Sequence, residues 1–148
     1  MARYLILVSR WNEIITKSLL SGAEDAFADA GVTAASRDVI WVPGCFELGT
    51  LAARAARSGR YTAIVCLGAV IRGETTHYDY VAGQAAASLA RVGVETGVAT
   101  IFGVVTTETV EQALNRAGLK SGNKGAEAAH AALAMARATA RLEELIRQ

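Results

Sequence analysis

His77, Arg116 and Lys124 are the side chains of this sequence best suited to acid–base and anion chemistry, and their settings differ. His77 lies near the end of residues 66–80, a stretch that starts as an apolar strand, breaks at Gly73 and delivers Thr75, Thr76 and His77 to what reads as a helix N-terminus. The first turn of a helix leaves backbone N–H groups unpaired and a partial positive charge pointing outward, which suits an anion. An imidazole beside such a place can carry a proton, or can simply cap the helix. Arg116 falls at the end of a short helical stretch, where a cation is comfortable against the helix dipole. Directly after it comes Gly-Leu-Lys-Ser-Gly-Asn-Lys-Gly, residues 118–125, a loop that can bring cations to a phosphate. Lys124 is followed by Gly125 instead of Ser or Thr, and the glycine spacing fits neither a P-loop nor a dinucleotide fingerprint, so nucleotide binding of those kinds is disfavoured.

Three further residues stand at turns after apolar runs. Trp11 follows the first run and can either pack or stack on a ring. Asn12 beside it reads as a helix cap. Glu47 sits near the first turn of a helical stretch, where the dipole favours a carboxylate; the other reading is that it accepts hydrogen bonds from ligand hydroxyls.

The elements that must position these groups alternate along the chain. Residues 3–8, 39–42, 63–69 and 99–105 are apolar, strand-like runs, and the third is continuously apolar, as a parallel strand covered on both faces should be. Ile15, Leu19, Ala23, Ala26, Phe27 and Ala30 recur at helical spacing until Gly31. Pro43-Gly44 ends the second run, and residues 46–57 return to helical spacing. Val81, Ala85, Leu89 and Val92 form one stripe. Thr106 and Thr107 read as turn and cap for a short helix over residues 110–117. A last helix, residues 125–146, should pack through Ala128, Ala132, Met135, Leu142 and Ile146. Four strands alternating with helices predict a three-layer α/β/α sandwich on a four-stranded, mainly parallel sheet. Ligands of such sheets bind outside the carboxyl ends of the strands, where residues 11–12, 44–47, 69–77 and 106–107 would converge.

Composition narrows the classes. At 148 residues the chain reads as a single domain over residues 1–148. A formal charge of +1 without a basic run offers no nucleic-acid footprint. With 52% hydrophobic residues, many of them alanine in the helical stretches, close helix packing or burial against other subunits is expected. Cys45 and Cys66 have no second thiol or histidine at metal-ligand spacing and read as reduced and structural, which points to the cytoplasm. The longest apolar run, residues 63–71, is far short of the ~20 needed to cross a bilayer. Arg10 follows Val8 too soon for a secretory signal.

Several blocks in order resemble lumazine synthase: Ser-Arg-Trp-Asn at residues 9–12, Val-Pro-Gly-Cys-Phe-Glu at 42–47, Gly-Ala-Val-Ile-Arg-Gly-Glu-Thr-Thr-His-Tyr at 68–78, and Gly-Val-Val-Thr-Thr at 103–107, continuing through Glu111-Gln112-Ala113 to Arg116-Ala117-Gly118 and Asn123-Lys124-Gly125. The resemblance runs in register from Arg3 to the last helix. It implies a flavodoxin-like fold and a transferase that condenses 5-amino-6-(D-ribitylamino)uracil with 3,4-dihydroxy-2-butanone 4-phosphate. The product, 6,7-dimethyl-8-ribityllumazine, is the penultimate intermediate of riboflavin synthesis, and phosphate and water are released. No metal and no cofactor are implied.

By the same resemblance Trp11 stacks on the pyrimidine, and Cys45, Phe46 and Glu47 hold the ribityl chain. Ala69, Val70 and Ile71 contact the uracil end, and Phe102 closes the ring pocket. Glu74 and Thr75 present backbone N–H groups to the phosphate, Arg116 pairs with it, Lys124 is a second cation, and His77 carries the proton. Homopentamers are the common unit of the family, with Phe102 and Arg116 facing the neighbouring subunit's site, and some members close many pentamers into an icosahedral shell. No nucleic acid, membrane or heteromeric partner is implied. Trp11 stands where phenylalanine is commoner, Cys45 where a small residue is usual, and Gly49 where proline is usual, which should loosen the helix start. Only two residues precede the first strand, whereas many members carry an additional N-terminal strand that pairs with a neighbour's sheet, a departure that bears on the shell more than on the pentamer. Two other functions share these residues: a non-catalytic flavin- or lumazine-binding shell protein, and a related enzyme such as the archaeal-type riboflavin synthase.

Overall fold

The computed structural model describes residues 1–73, 77–120 and 122–148. The strands are β1 (Tyr4–Ser9), β2 (Arg37–Val42), β3 (Ala63–Ile71) and β4 (Ala99–Thr107). The helices are α1 (Glu13–Asp29), α2 (Leu48–Arg57), α3 (His77–Thr96), α4 (Val110–Asn115) and α5 (Lys124–Ile146). The sheet has four strands in the order β2-β1-β3-β4, all parallel. That is the flavodoxin-like order, in which the winding direction reverses between β1 and β3 and opens a crevice there.

Alternation along the two central strands divides the core. Tyr4, Ile6 and Val8 of β1, with Val65 and Leu67 of β3, pack under α1 and α5. Leu5 and Leu7, with Ile64 and Cys66, pack under α2 and α3. Both strands are buried almost throughout because helices cover both faces. Each large side chain withdrawn from water here, Phe27 and Leu19 of α1 among them, contributes ~1.5–3 kcal/mol of transfer free energy.

α1 and α5 approach until backbone meets backbone. A Cβ on Gly125 would overlap the carbonyl of Leu19, so only glycine fits at the first turn of α5. Asn123 fixes the same junction: its Oδ1 accepts from the N–H groups of Gly125 (2.8 Å) and Ala126 (3.1 Å), while its Nδ2 donates to the carbonyl of Ser18 at 3.0 Å. One side chain thus caps α5 and ties it to α1.

Several local expectations change. Thr106 and Thr107 belong to β4; the cap of α4 is Thr109, whose hydroxyl accepts from the Gln112 N–H at 3.1 Å while the Gln112 side chain reaches back to the Thr109 N–H. The strand runs on because β3 continues to Ile71 and supplies partners up to Thr107. α4 stops at Asn115 because Ala117 bridges to Asn123 and pulls the chain out of the helix. The helical stretch after Pro43 opens with a 3-10 turn, Cys45–Glu47, before α2. Gly49 is buried against α3, where a Cβ would come within 2.5 Å of Ser88 Oγ, so it permits close packing of the helix start. In α5, Ala128 and Ala132 are buried, but Met135, Leu142 and Ile146 are 44%, 56% and 73% exposed. The apolar spacing continues past the point where the rest of the chain supplies a layer beneath it.

At the other end of the sheet, Arg3 pairs with Asp38 through Nε (3.1 Å) and Nη2 (2.9 Å), and the Tyr61 hydroxyl donates to the same carboxylate at 2.8 Å. No helix among the described residues is long and apolar enough to cross a membrane.

Candidate functional site

A cavity of about 650 Å³ opens at the carboxyl ends of β1, β2 and β3, over the crevice where the strand order reverses. Trp11 and Asn12 enter it from the end of β1, and Gly44, Cys45, Phe46 and Glu47 from the end of β2. Ala69, Val70 and Ile71 come from the end of β3, and His77 from the start of α3. Tyr78, Tyr80 and Val81 of α3 complete the wall. The sequence reading gave the tyrosines no place at the cavity and took Val81 only as part of a helical stripe, although two tyrosines beside a helix start are a usable signal for a wall that is apolar with polar tips.

The floor is rigid. Cys45 is buried, and its Sγ lies 3.5 Å from Ser9 Oγ. Burial pushes the Cys45 thiol up; the Ser9 hydroxyl and the Ala69 N–H pull it back, and the Glu47 carboxylate adds to the rise. Burial likewise drives the Cys66 thiol far above the ordinary thiol range. Both are protonated, weak nucleophiles. Gly68 lies between Cys45 and Ser9, and a Cβ there would strike both side chains. A glycine inside an otherwise apolar strand marks such a close approach.

The rim is open. Trp11 is 73% exposed, and its backbone N–H donates to the Pro43 carbonyl at 3.3 Å, which ties the residue beside the β2 end. The preceding Arg10 lies over the Trp41 ring at 5.2 Å and pairs with Glu13 at 3.2 Å, which braces the turn from outside. Asn12 does not cap α1: no side-chain capping bond is made, and its Nδ2 donates to the Ala69 carbonyl at 3.3 Å.

Phe102, Arg116 and Lys124 lie elsewhere. They share a second cavity of about 430 Å³ with Thr106 and Glu127, along β4 and the start of α5. The Lys124 N–H donates to the Arg116 carbonyl at 2.8 Å, and Asn123 Nδ2 also donates to the Ala117 carbonyl at 3.3 Å, so the glycine-rich loop folds back and sets the two cations side by side. Gly118, at φ 106, makes that return possible. Arg116 also borders a polar cavity of about 380 Å³ with Tyr78, Glu108 and Gln112. Between the two regions Arg72 pairs with Glu108 at 3.6 Å and lies 6.0 Å from the Tyr78 ring. Glu74 and Thr75 lie outside the described residues. Among the described residues, no group of three or more His, Cys, Asp or Glu side chains is arranged to hold a metal ion.

The four-stranded parallel sheet with its order reversal, and the cavity over that reversal point, define an α/β protein of the flavodoxin-like class. Within that class the affiliation is specific, because the 6,7-dimethyl-8-ribityllumazine synthase family model matches residues 1–140. The chain belongs to that family.

Proposed function

We propose that the protein is a transferase that condenses 5-amino-6-(D-ribitylamino)uracil with 3,4-dihydroxy-2-butanone 4-phosphate to give 6,7-dimethyl-8-ribityllumazine, with release of phosphate and water. The observation that carries this reading is the cavity that joins the exposed indole of Trp11, the Glu47 carboxylate, the backbone of residues 69–71 and His77. A flat heterocycle fits between the indole and the β3 end, and a polyol chain fits along residues 45–47, where backbone groups and Glu47 can meet its hydroxyls. The substrate amine adds to the ketone and water leaves to form an imine; phosphate departs, and ring closure expels water. Each step moves a proton, and His77 is the side chain at the cavity suited to carry it. Much of the acceleration comes from holding two substrates in one orientation.

Phosphate release needs positive charge, which Arg116 and Lys124 supply. Because these line a separate cavity of the same chain, the working unit in this reading is a homo-oligomer, a pentamer by family, in which the cationic patch of one chain meets the open cavity of its neighbour. Burial of Phe102 and the exposed side chains of α5 in that assembly accords with the apolar composition.

The test is to supply both substrates and follow lumazine fluorescence together with released phosphate. One phosphate per lumazine is expected, and His77→Ala should slow turnover by about 10²-fold without abolishing it. Flavin binding without product would replace this reading with that of a non-catalytic shell protein, and native mass spectrometry showing a monomer would remove the shared site.

A further inference from the structure

Asn12 has an unusual backbone for its place. Its φ of 63 and ψ of 51 put it in the left-handed region, and it is the sole non-glycine with positive φ among the described residues. Asparagine tolerates that conformation better than most residues, but it remains uncommon. The Asn12 carbonyl still starts α1 by accepting from the N–H groups of Ile15 (2.9 Å) and Thr16 (3.1 Å). The left-handed turn leaves the side chain out of the cap and sends Nδ2 to the Ala69 carbonyl.

That carbonyl lies where the ladder has run out. Pairing between β1 and β3 ends at Val8↔Leu67, while β3 continues along β4 to Ile71. Beyond Leu67, β1 no longer supplies a neighbour, and the Asn12 amide takes the place of a strand N–H at Ala69. Trp11, one residue earlier, is held on its other side by Pro43. The turn that presents the indole is therefore fastened to both flanking strand ends, by backbone to β2 and by one side chain to β3.

We propose that Asn12 is a positioning residue for the ring end of the cavity: its amide fixes the gap between the Trp11 indole and the backbone of residues 69–71 into which a flat heterocycle slides. This inference rests on the proposed use of the cavity for a pyrimidine. Asn12 does not touch the reacting atoms; it acts through Trp11 and Ala69.

Three substitutions separate backbone from tether. Asn12→Gly keeps the left-handed turn and removes the amide, Asn12→Asp keeps the shape but sets a carboxylate against a carbonyl, and Asn12→Ala loses both the amide and the ease of the turn. Asn12→Gly should raise KM for the ribitylaminouracil about fivefold, as expected for one lost hydrogen bond, and leave KM for the butanone phosphate within about twofold. Asn12→Asp should raise the pyrimidine KM further. An unchanged pyrimidine KM in both variants, or an equal rise for both substrates, would overturn the proposal.

A second readout needs no substrate. In a Trp41→Phe background Trp11 is the sole indole, because the chain has 2 tryptophans. Its time-resolved anisotropy should gain a fast local component when Asn12→Gly is added. An unchanged decay would sink the tether even if the enzyme proved to use other substrates, whereas absent lumazine formation with a loosened indole would sink the assigned reaction and leave the tether standing.

Discussion

The cavity over β1, β2 and β3 and the cationic patch along β4 and α5 are built differently. The cavity is assembled from four chain segments on a buried floor, where Gly68, Cys45 and Ser9 interlock and little can shift. The patch belongs to the sheet's edge: Phe102 is 37% exposed, and the backbones of Arg116 and Lys124 are joined where the glycine-rich loop returns. A floor that is packed can hold a ring in one orientation, while an open edge carrying charge can only attract. Among the described residues, the aromatic rim, Glu47 and His77 line one cavity and Arg116 and Lys124 another, and that separation is what the proposed site between chains is meant to bridge.

The sharpest way to break the comparison is at the contact that joins the regions. α1 begins beside the cavity and α5 begins beside the patch, and they meet where Gly125 touches the Leu19 carbonyl. Gly125→Ala drives a methyl into backbone, so a loss of ~3 kcal/mol is expected in urea unfolding, at the upper end for overpacking. An unchanged midpoint would mean that the two helices can part freely. Next in size is Arg116→Ala, which should weaken phosphate-substrate binding by about 30-fold, as for loss of a charge-assisted hydrogen bond, while ligand quenching of Trp11 stays as it was. Trp11→Ala should do the converse, weakening the pyrimidine about tenfold and sparing the phosphate arm, as measured by calorimetric titration with each substrate. If either variant moved both affinities equally, the division into ring half and charge half would fail.

Much of this division was legible in the sequence, for identifiable reasons. The continuous apolar run from residue 63 reads as a doubly covered strand, and β3 is buried from Ala63 to Val70, although it ends at Ile71 instead of residue 69. Pro43-Gly44 located the second strand end, and Gly118 with Gly125 located the loop that carries the cations. The role of Asn12 was not legible, because cap and left-handed tether use the same residue type at the same place, and only the early end of β1–β3 pairing decides between them. The cap at Thr109 was missed because β4 borrowed its length from β3, a tertiary effect invisible in a local threonine pair. The exposed half of α5 reads as core by spacing, since periodicity records an apolar face but not whether this chain supplies a layer to cover it.

The smallest expected effect comes from the end of the sheet remote from both halves. The Tyr61 hydroxyl beside Asp38 holds its carboxyl below the ordinary carboxylate range; partial burial opposes this, and Arg3 and then Arg60 reinforce it. A folded carboxyl that binds its proton less readily than the unfolded one adds stability above the unfolded value of about 3.9, and that stability is lost as pH falls through the lower folded value. The carboxylate is about a third exposed, at 34%, so solvent screens the pair and the effect should be modest. Asp38→Asn should therefore lower the urea midpoint slightly at neutral pH, and the gap from the unmodified protein should close below about pH 4. A gap that stayed constant into acid would assign the loss to packing around Tyr61. A change in either substrate arm would show that the far end of the sheet is coupled to the site, which the rigid β1–β3 centre between them argues against.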